Sequence, residues 1–455
     1  MLGSRIRTVA AAAAAAGVLM GVGAAMALLS WEIQITLLVL VLTIVAAMWL
    51  IPRAVAKEPT VSVHLLGLAV AAKVVGALAR YAVLQVVYGG VGDAVGYHSA
   101  GRLYAPMVRA LDFSFIDLST LGTPIVGYFT AFLYAVITPS MPAAFLVFSM
   151  LSLIGTWCFY RAHRISFPDG NHRLYFLLLF FLPTLVYWPS SLGKDALVIL
   201  GLGLATLGVA RIYQRPSAGA FVQLLAGMGL VLLIREAVAL MLLFGVAAGL
   251  LIRPGPVRST LTRPMAVLVI LPILAAGLVF AFRVTAQQLN LEQNLESVFQ
   301  KYETTQENLQ QGGSSFEQPE ITSPASALVA AGGVLFRPFP WELGSGLGAI
   351  AGLEGMVLLA LLVTRFPAAV RALKLWRGGM IVTALIMSIL LIATLSAFTN
   401  FGLLARQRSQ AFPFVLMVFT AVRTRRELRR REAAEVQAPV TVERIRRTAV
   451  PTAAG

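Results

Sequence analysis

Apolar runs succeed one another along most of this chain, many close to the roughly 20 residues that cross a bilayer core about 30 Å thick. The runs that read as spans are 8–30, 35–52, 61–88, 122–138, 141–160, 174–190, 195–212, 219–235, 237–253, 265–282, 345–364, 379–397 and 410–422. Nearly every interior charge stands where a run ends, because a charge left in lipid costs several kcal/mol unless it meets a partner or a polar cavity. The pattern predicts an all-α polytopic transmembrane bundle of about 12–13 spans. It divides the chain into an N-terminal hairpin (1–60), a core (61–282), a polar loop (283–344), further spans (345–422) and a basic tail (423–455). Arg5 and Arg7 before a long alanine-rich run resemble a signal peptide, read here as a retained anchor because the next apolar run follows at once.

Lysine and arginine in short loops orient such a bundle, since they stay on the cytoplasmic side. The loops 161–173, 211–215, 253–263 and 365–377 and the tail are therefore expected inside, and 190–195, 235–236, 283–344 and 398–409 outside. The N-terminus and the Arg53–Lys57 loop also read as inside, which puts 89–121 outside. The two halves then disagree by one crossing. The repair is that part of 89–138 lies along the membrane, leaving one true span between Asp93 and Arg161. In the outer loops, 99–111 has helical spacing, and 287–311 reads as an amphipathic helix followed by a flexible link at Gly312–Ser315.

Composition narrows the class. Hydrophobic residues make up 58% and charged residues 12% of the chain, half the charged share of a soluble protein. The single cysteine, Cys158, allows no internal disulfide. The net charge of +16 does not point to nucleic acid, because nine arginines crowd between Arg423 and Arg447 without interleaved aromatics. That tail fits anionic lipid at the cytoplasmic surface. No Walker loop, His-Glu-x-x-His or Gly-x-Ser-x-Gly is present, so nucleotide hydrolysis, zinc proteolysis and serine esterase chemistry lack their motifs.

Candidate chemistry lies in four charged clusters expected on the outer side. Asp93, in a glycine-rich approach with Tyr97 and His98 close behind, can act as a general base or hold a divalent cation. Ser191, Lys194 and Asp195 crowd a tight turn, and Arg235–Glu236 joins two spans, either bracing them or facing the same mouth. Arg337, Trp341 and Glu342 sit on a proline-fixed path, where a planar guanidinium suits phosphate. Asn400, Arg406 and Arg408 form the last. Cations here run against the orientation trend, and their convergence is the signal.

Asp93, Tyr97 and His98 in the first large outside loop resemble the GT-C-type membrane glycosyltransferases. The stretches PTLVYWPSSLGKD, LFRPFPWE and NFGLLARQR are similar to those of integral membrane proteins of bacterial exopolysaccharide and O-antigen synthesis. The resemblance implies a multi-pass protein of the bacterial plasma membrane with a polyprenyl-phosphate-linked sugar donor. The acceptor would be a saccharide, lipid or protein, and transfer would occur outside. Asp93 would correspond to the catalytic acid of that family; the second acidic residue often paired with it there is not evident, which bears on any metal requirement. Lys194, Arg337, Arg406 or Arg408 would stabilise the leaving lipid phosphate. A lipid-linked saccharide flippase and a non-catalytic partner of a polysaccharide synthase remain as alternatives.

Overall fold

A computed structural model describes residues 29–252 (apart from Pro59), 324–339, 346–396 and 400–429, with Glu342 and Phe398. The first expected span, the 265–282 span, the 283–323 part of the long loop, Trp341 and the tail beyond residue 429 lie outside the described residues.

All described elements are helical. In chain order they are α1 (Trp31–Ala56), α2 (Val63–Val86), α3 (Asp93–Arg109), α4 (Thr123–Ile137), α5 (Met141–Ser166), α6 (His172–Phe181), α7 (Pro183–Tyr187) and α8 (Lys194–Gln214). There follow α9 (Ala218–Ile234), α10 (Glu236–Ile252), α11 (Pro324–Phe336), α12 (Gly346–Ala372), α13 (Met380–Leu395), α14 (Phe401–Gln407) and α15 (Phe412–Thr420). Among them, α1, α2, α5, α8 and α12 are long and apolar enough to cross a membrane. Five shorter apolar helices of 10–17 residues accompany them. The chain is an all-α, multi-pass membrane protein.

Helix α8 is the axis of the bundle. Other helices cover 83% of its apolar window, against 6% for α1, whose exposed Leu38, Val41, Leu42 and Val45 suit lipid. The contacts of α8 with α5 and α9 run backbone to backbone through glycine. A Cβ added at Gly203 would strike the backbone of Gly155, and one at Gly227 would strike Ala205. Small residues supply close van der Waals packing where lipid removes the hydrophobic drive between helices. We expect Gly203→Val to abolish the well-folded protein, seen as loss of a monodisperse peak in detergent chromatography.

Two ends of the bundle can be told apart by their contacts. At one, Glu58 takes Arg161 Nε (3.3 Å) and Arg164 Nε (3.1 Å), Gln214 donates to the Ile165 carbonyl (3.1 Å), and Arg365 pairs with Glu427. At the other, Ser140 donates to the Glu32 carbonyl (3.1 Å), Gly122 N–H donates to the Leu233 carbonyl (2.9 Å), and Arg235 meets Asp195. Helix α4 starts beside Leu233 and ends beside Ser140, so both its ends lie at this second end. It does not cross, contrary to the expected span 122–138, and it packs with the polar α3 along the rim. The crossing discrepancy thereby disappears, with α5 the one traverse between Asp93 and Arg161.

One further run differs from its expected form. Pro183 and Pro189 break 174–190 into α6, the five-residue α7 and a turn, since proline lacks the N–H a continuing helix needs. The run 410–422 holds the nine-residue α15, which carries the chain from the Arg406 end of the bundle to the end where Arg365 pairs with Glu427.

Candidate functional site

The second end of the bundle gathers chain segments more than 300 residues apart. Asp93 opens α3, Asp195 lies in the first turn of α8, Arg235 joins α9 to α10, and Arg406 ends α14. Arg406 is the bridge between the two carboxylates. Its Nη1 donates to Asp93 Oδ2 at 3.0 Å and its Nε to Asp195 Oδ2 at 2.5 Å. Asp195 Oδ1 accepts from Arg235 Nη2 at 3.0 Å, and Arg235 Nη1 donates to Gln407 Oε1. Gln410 Nε2 reaches the same Gln407 oxygen at 2.8 Å.

The two aspartates occupy opposite environments. The Asp195 side chain is 1% exposed and held by two guanidinium groups, whereas the Asp93 side chain is 61% exposed. One organises the site; the other faces what enters it. Asp195 raises the Arg406 pKa further, by direct charge attraction that outweighs its burial, so this arginine never releases its proton. Burial lowers that of Arg235, and Asp195 opposes the shift.

Lys194 stands beside this network with no ion-pair partner among the described residues. Its Nζ would lie 3.7 Å from a Cβ at Gly122, a residue whose φ of +88° favours glycine in any case. Arg235 and Arg406 are thus paired with Asp93 and Asp195, while Lys194 stands outside those pairs among the described residues. Tyr97, 3% exposed, completes the wall. Burial, with Asp93 adding to it, pushes its phenol up to about 12, so it stays protonated at neutral pH.

The remaining expected residues are placed elsewhere or apart. His98 points into the α3–α4 interface, where Nδ1 lies 2.6 Å from the Tyr134 hydroxyl, and burial, with Arg102 adding to it, lowers its pKa. Ser191 is buried and donates to the Trp188 carbonyl at 3.2 Å. Glu236 sits in the first turn of α10 without an ion pair among the described residues. Asn400 caps α14, accepting from the N–H groups of Gly402 (2.9 Å) and Leu403 (3.2 Å). Arg337 binds Glu342 through Nε (2.8 Å) and Nη2 (2.5 Å), with its guanidinium 5.8 Å from the Phe401 ring. Arg408 is wholly buried and donates to the Arg337 carbonyl at 2.6 Å, so it supports the wall rather than lining the mouth.

Several participants were not singled out in the sequence. Gln407 was hidden between two arginines, and Tyr134 in an apolar run. Lys73 and Glu354, each in a long apolar run, carried a readable signal because such placements are costly. Among the described residues no three His, Cys, Asp or Glu side chains cluster as metal ligands. Among the described residues, Asp93 and Asp195 are both bound to Arg406.

Residues 122–281 match the family model described as dolichyl-phosphate-mannose-protein mannosyltransferase. The matched stretch supplies Lys194, Asp195 and Arg235, and the match supports a membrane glycosyltransferase of the GT-C type. No curated protein and no solved structure matches the chain.

Proposed function

We propose that this protein transfers a sugar or oligosaccharide from a polyprenyl-phosphate donor to a cell-envelope or exopolysaccharide acceptor at the outer face of a bacterial plasma membrane. The carrying observation is the Lys194 ammonium, without an ion pair among the described residues, near the exposed Asp93 carboxylate, with the neighbouring arginines already paired. Arg161, Arg164, Arg211 and Arg365 lie toward the opposite end, which by the positive-inside rule supports an outer position for Asp93. The matched family's description names a lipid-phosphate sugar donor, in keeping with this reading.

In this mechanism Asp93 takes the proton of the acceptor hydroxyl as its oxygen attacks the anomeric carbon. The bond from that carbon to the lipid phosphate breaks, and the electron pair leaves with the phosphate. Lys194 meets the charge that develops there, as a compact cation needing no reorganisation. Arg406 keeps Asp93 aimed at the acceptor, and Asp195 keeps Arg406 aimed at Asp93. Inversion at the anomeric carbon follows from one displacement.

Removing the protein from cells should make the lipid-linked sugar accumulate. With purified protein, Lys194→Gln should raise KM for the lipid-phosphate donor about tenfold, the loss of one charge-assisted contact. An unchanged KM and kcat would remove Lys194 from the donor site.

A further inference from the structure

Two buried charges in the membrane-spanning helices have no role in the chemistry above, and both act on α7. Lys73, fully buried midway along α2, has no carboxylate beside it among the described residues. Its ammonium donates to the Leu185 carbonyl and to Ser152 Oγ, each at 2.9 Å. In a continuing helix the Leu185 carbonyl would bind the N–H four residues on, but that residue is Pro189. Lys73 therefore supplies, from another helix, the donor that Pro189 lacks. Ser190 Oγ likewise donates to the next carbonyl, Val186, at 2.5 Å, and Ser149 Oγ lies 2.9 Å from Ser190 Oγ and 2.8 Å from the Lys73 carbonyl.

The other end of α7 is held in the complementary way. Pro183 starts the segment, and the freed N–H of Thr184 donates to Glu354 Oε2 at 2.9 Å, as does the Thr184 hydroxyl at the same distance. That hydroxyl oxygen also lies 3.4 Å from Arg408 Nη2, and Arg408 is two residues from Arg406. Within lipid each unmet backbone group costs several kcal/mol, so partners from α2 and α12 fix the segment.

We propose that Lys73 and Glu354 are positioning residues. They clamp α7 at its two ends and so set the spacing between Lys194–Asp195, reached through the turn after Pro189, and Arg406, reached through Arg408. The proposal rests on the reading that the Asp195–Arg406 network serves transfer.

Its test reads the turn directly. Cys158 is the sole cysteine and is buried, so Cys158→Ser with Ser191→Cys gives one reporter for a membrane-impermeant maleimide in intact membranes. Lys73→Met should speed labelling about tenfold, the effect of leaving one buried carbonyl unmet, whereas Lys73→Gln, which keeps an N–H donor, should stay near the parent. Glu354→Leu and Glu354→Gln should behave as the same contrasting pair. In the otherwise native chain, Lys73→Met should lower kcat while leaving the donor KM near that of the parent. Adding Pro189→Ala, which restores the missing N–H inside the helix, should return Lys73→Met to the parental labelling rate, and should recover insertion where Lys73→Met alone fails to insert. Unchanged labelling in Lys73→Met, equal acceleration in Lys73→Gln, or no recovery with Pro189→Ala each overturns the clamp. Labelling needs no substrate, so it stands or falls independently of the transferase reading.

Discussion

Asp93→Asn is expected to lower sugar transfer by about a thousandfold, within the range a positioned general base contributes, and to leave the protein folded. Asparagine keeps the size of the side chain and an oxygen for Arg406 Nη1, so the bridge at 3.0 Å survives in neutral form. What would disappear, under the proposed mechanism, is the basicity that accepts the acceptor's proton. The side chain is 61% exposed, so no core contact is lost and the melting temperature should stay within about 2 °C of the parent. Initial rates on a polyprenyl-phosphate sugar in nanodiscs, read beside the melting curve, separate the two effects. A rate within threefold of the parent would take Asp93 out of the reaction.

The helical membrane class was legible because long apolar runs with charges at their ends have one physical outcome in lipid. The path of α4 was half legible: the loop charges required that part of 89–138 not cross, but not which part. An apolar 15-residue stretch looks the same whether it crosses or lies along a rim, and the deciding contacts, Gly122 with Leu233 and Ser140 with Glu32, join residues far apart in sequence. At the candidate site, charges clustered at the ends of apolar runs singled out Asp93, Lys194, Asp195, Arg235 and Arg406, which the structure brings to one end of the bundle. The division of labour among neighbours was hidden by helical rotation of about 100° per residue. Tyr97 faces the mouth while His98, one residue on, faces Tyr134; Arg406 reaches both aspartates while Arg408, two residues on, is directed into the bundle. Which aspartate would be buried was equally unreadable, since burial of Asp195 depends on α8 being the central helix. Lone charges carry information too. Lys73 and Glu354 gain their meaning only once Pro183 and Pro189 are seen to break a helix between them.

Asp195→Ala should be the most destabilising single change at the site. The carboxylate is 1% exposed and accepts from both Arg235 and Arg406. Its removal leaves two largely buried guanidinium groups without their counter-charge, a loss of about 3–5 kcal/mol for breaking a buried pair from one side. Melting in nanodiscs should fall by about 5–10 °C. Raising the salt should change that difference little, because buried pairs are weakly screened. Taking away one of the stranded charges should return part of the loss. Arg235→Leu in the Asp195→Ala background is therefore expected to be more stable than Asp195→Ala alone, although Arg235→Leu by itself destabilises the parent. That sign reversal is the signature of direct coupling between contacting residues. Additive losses would mean that Asp195 does not neutralise the arginines. Lys194 would then no longer be the one set apart from paired arginines, and donor binding would be shared among all three.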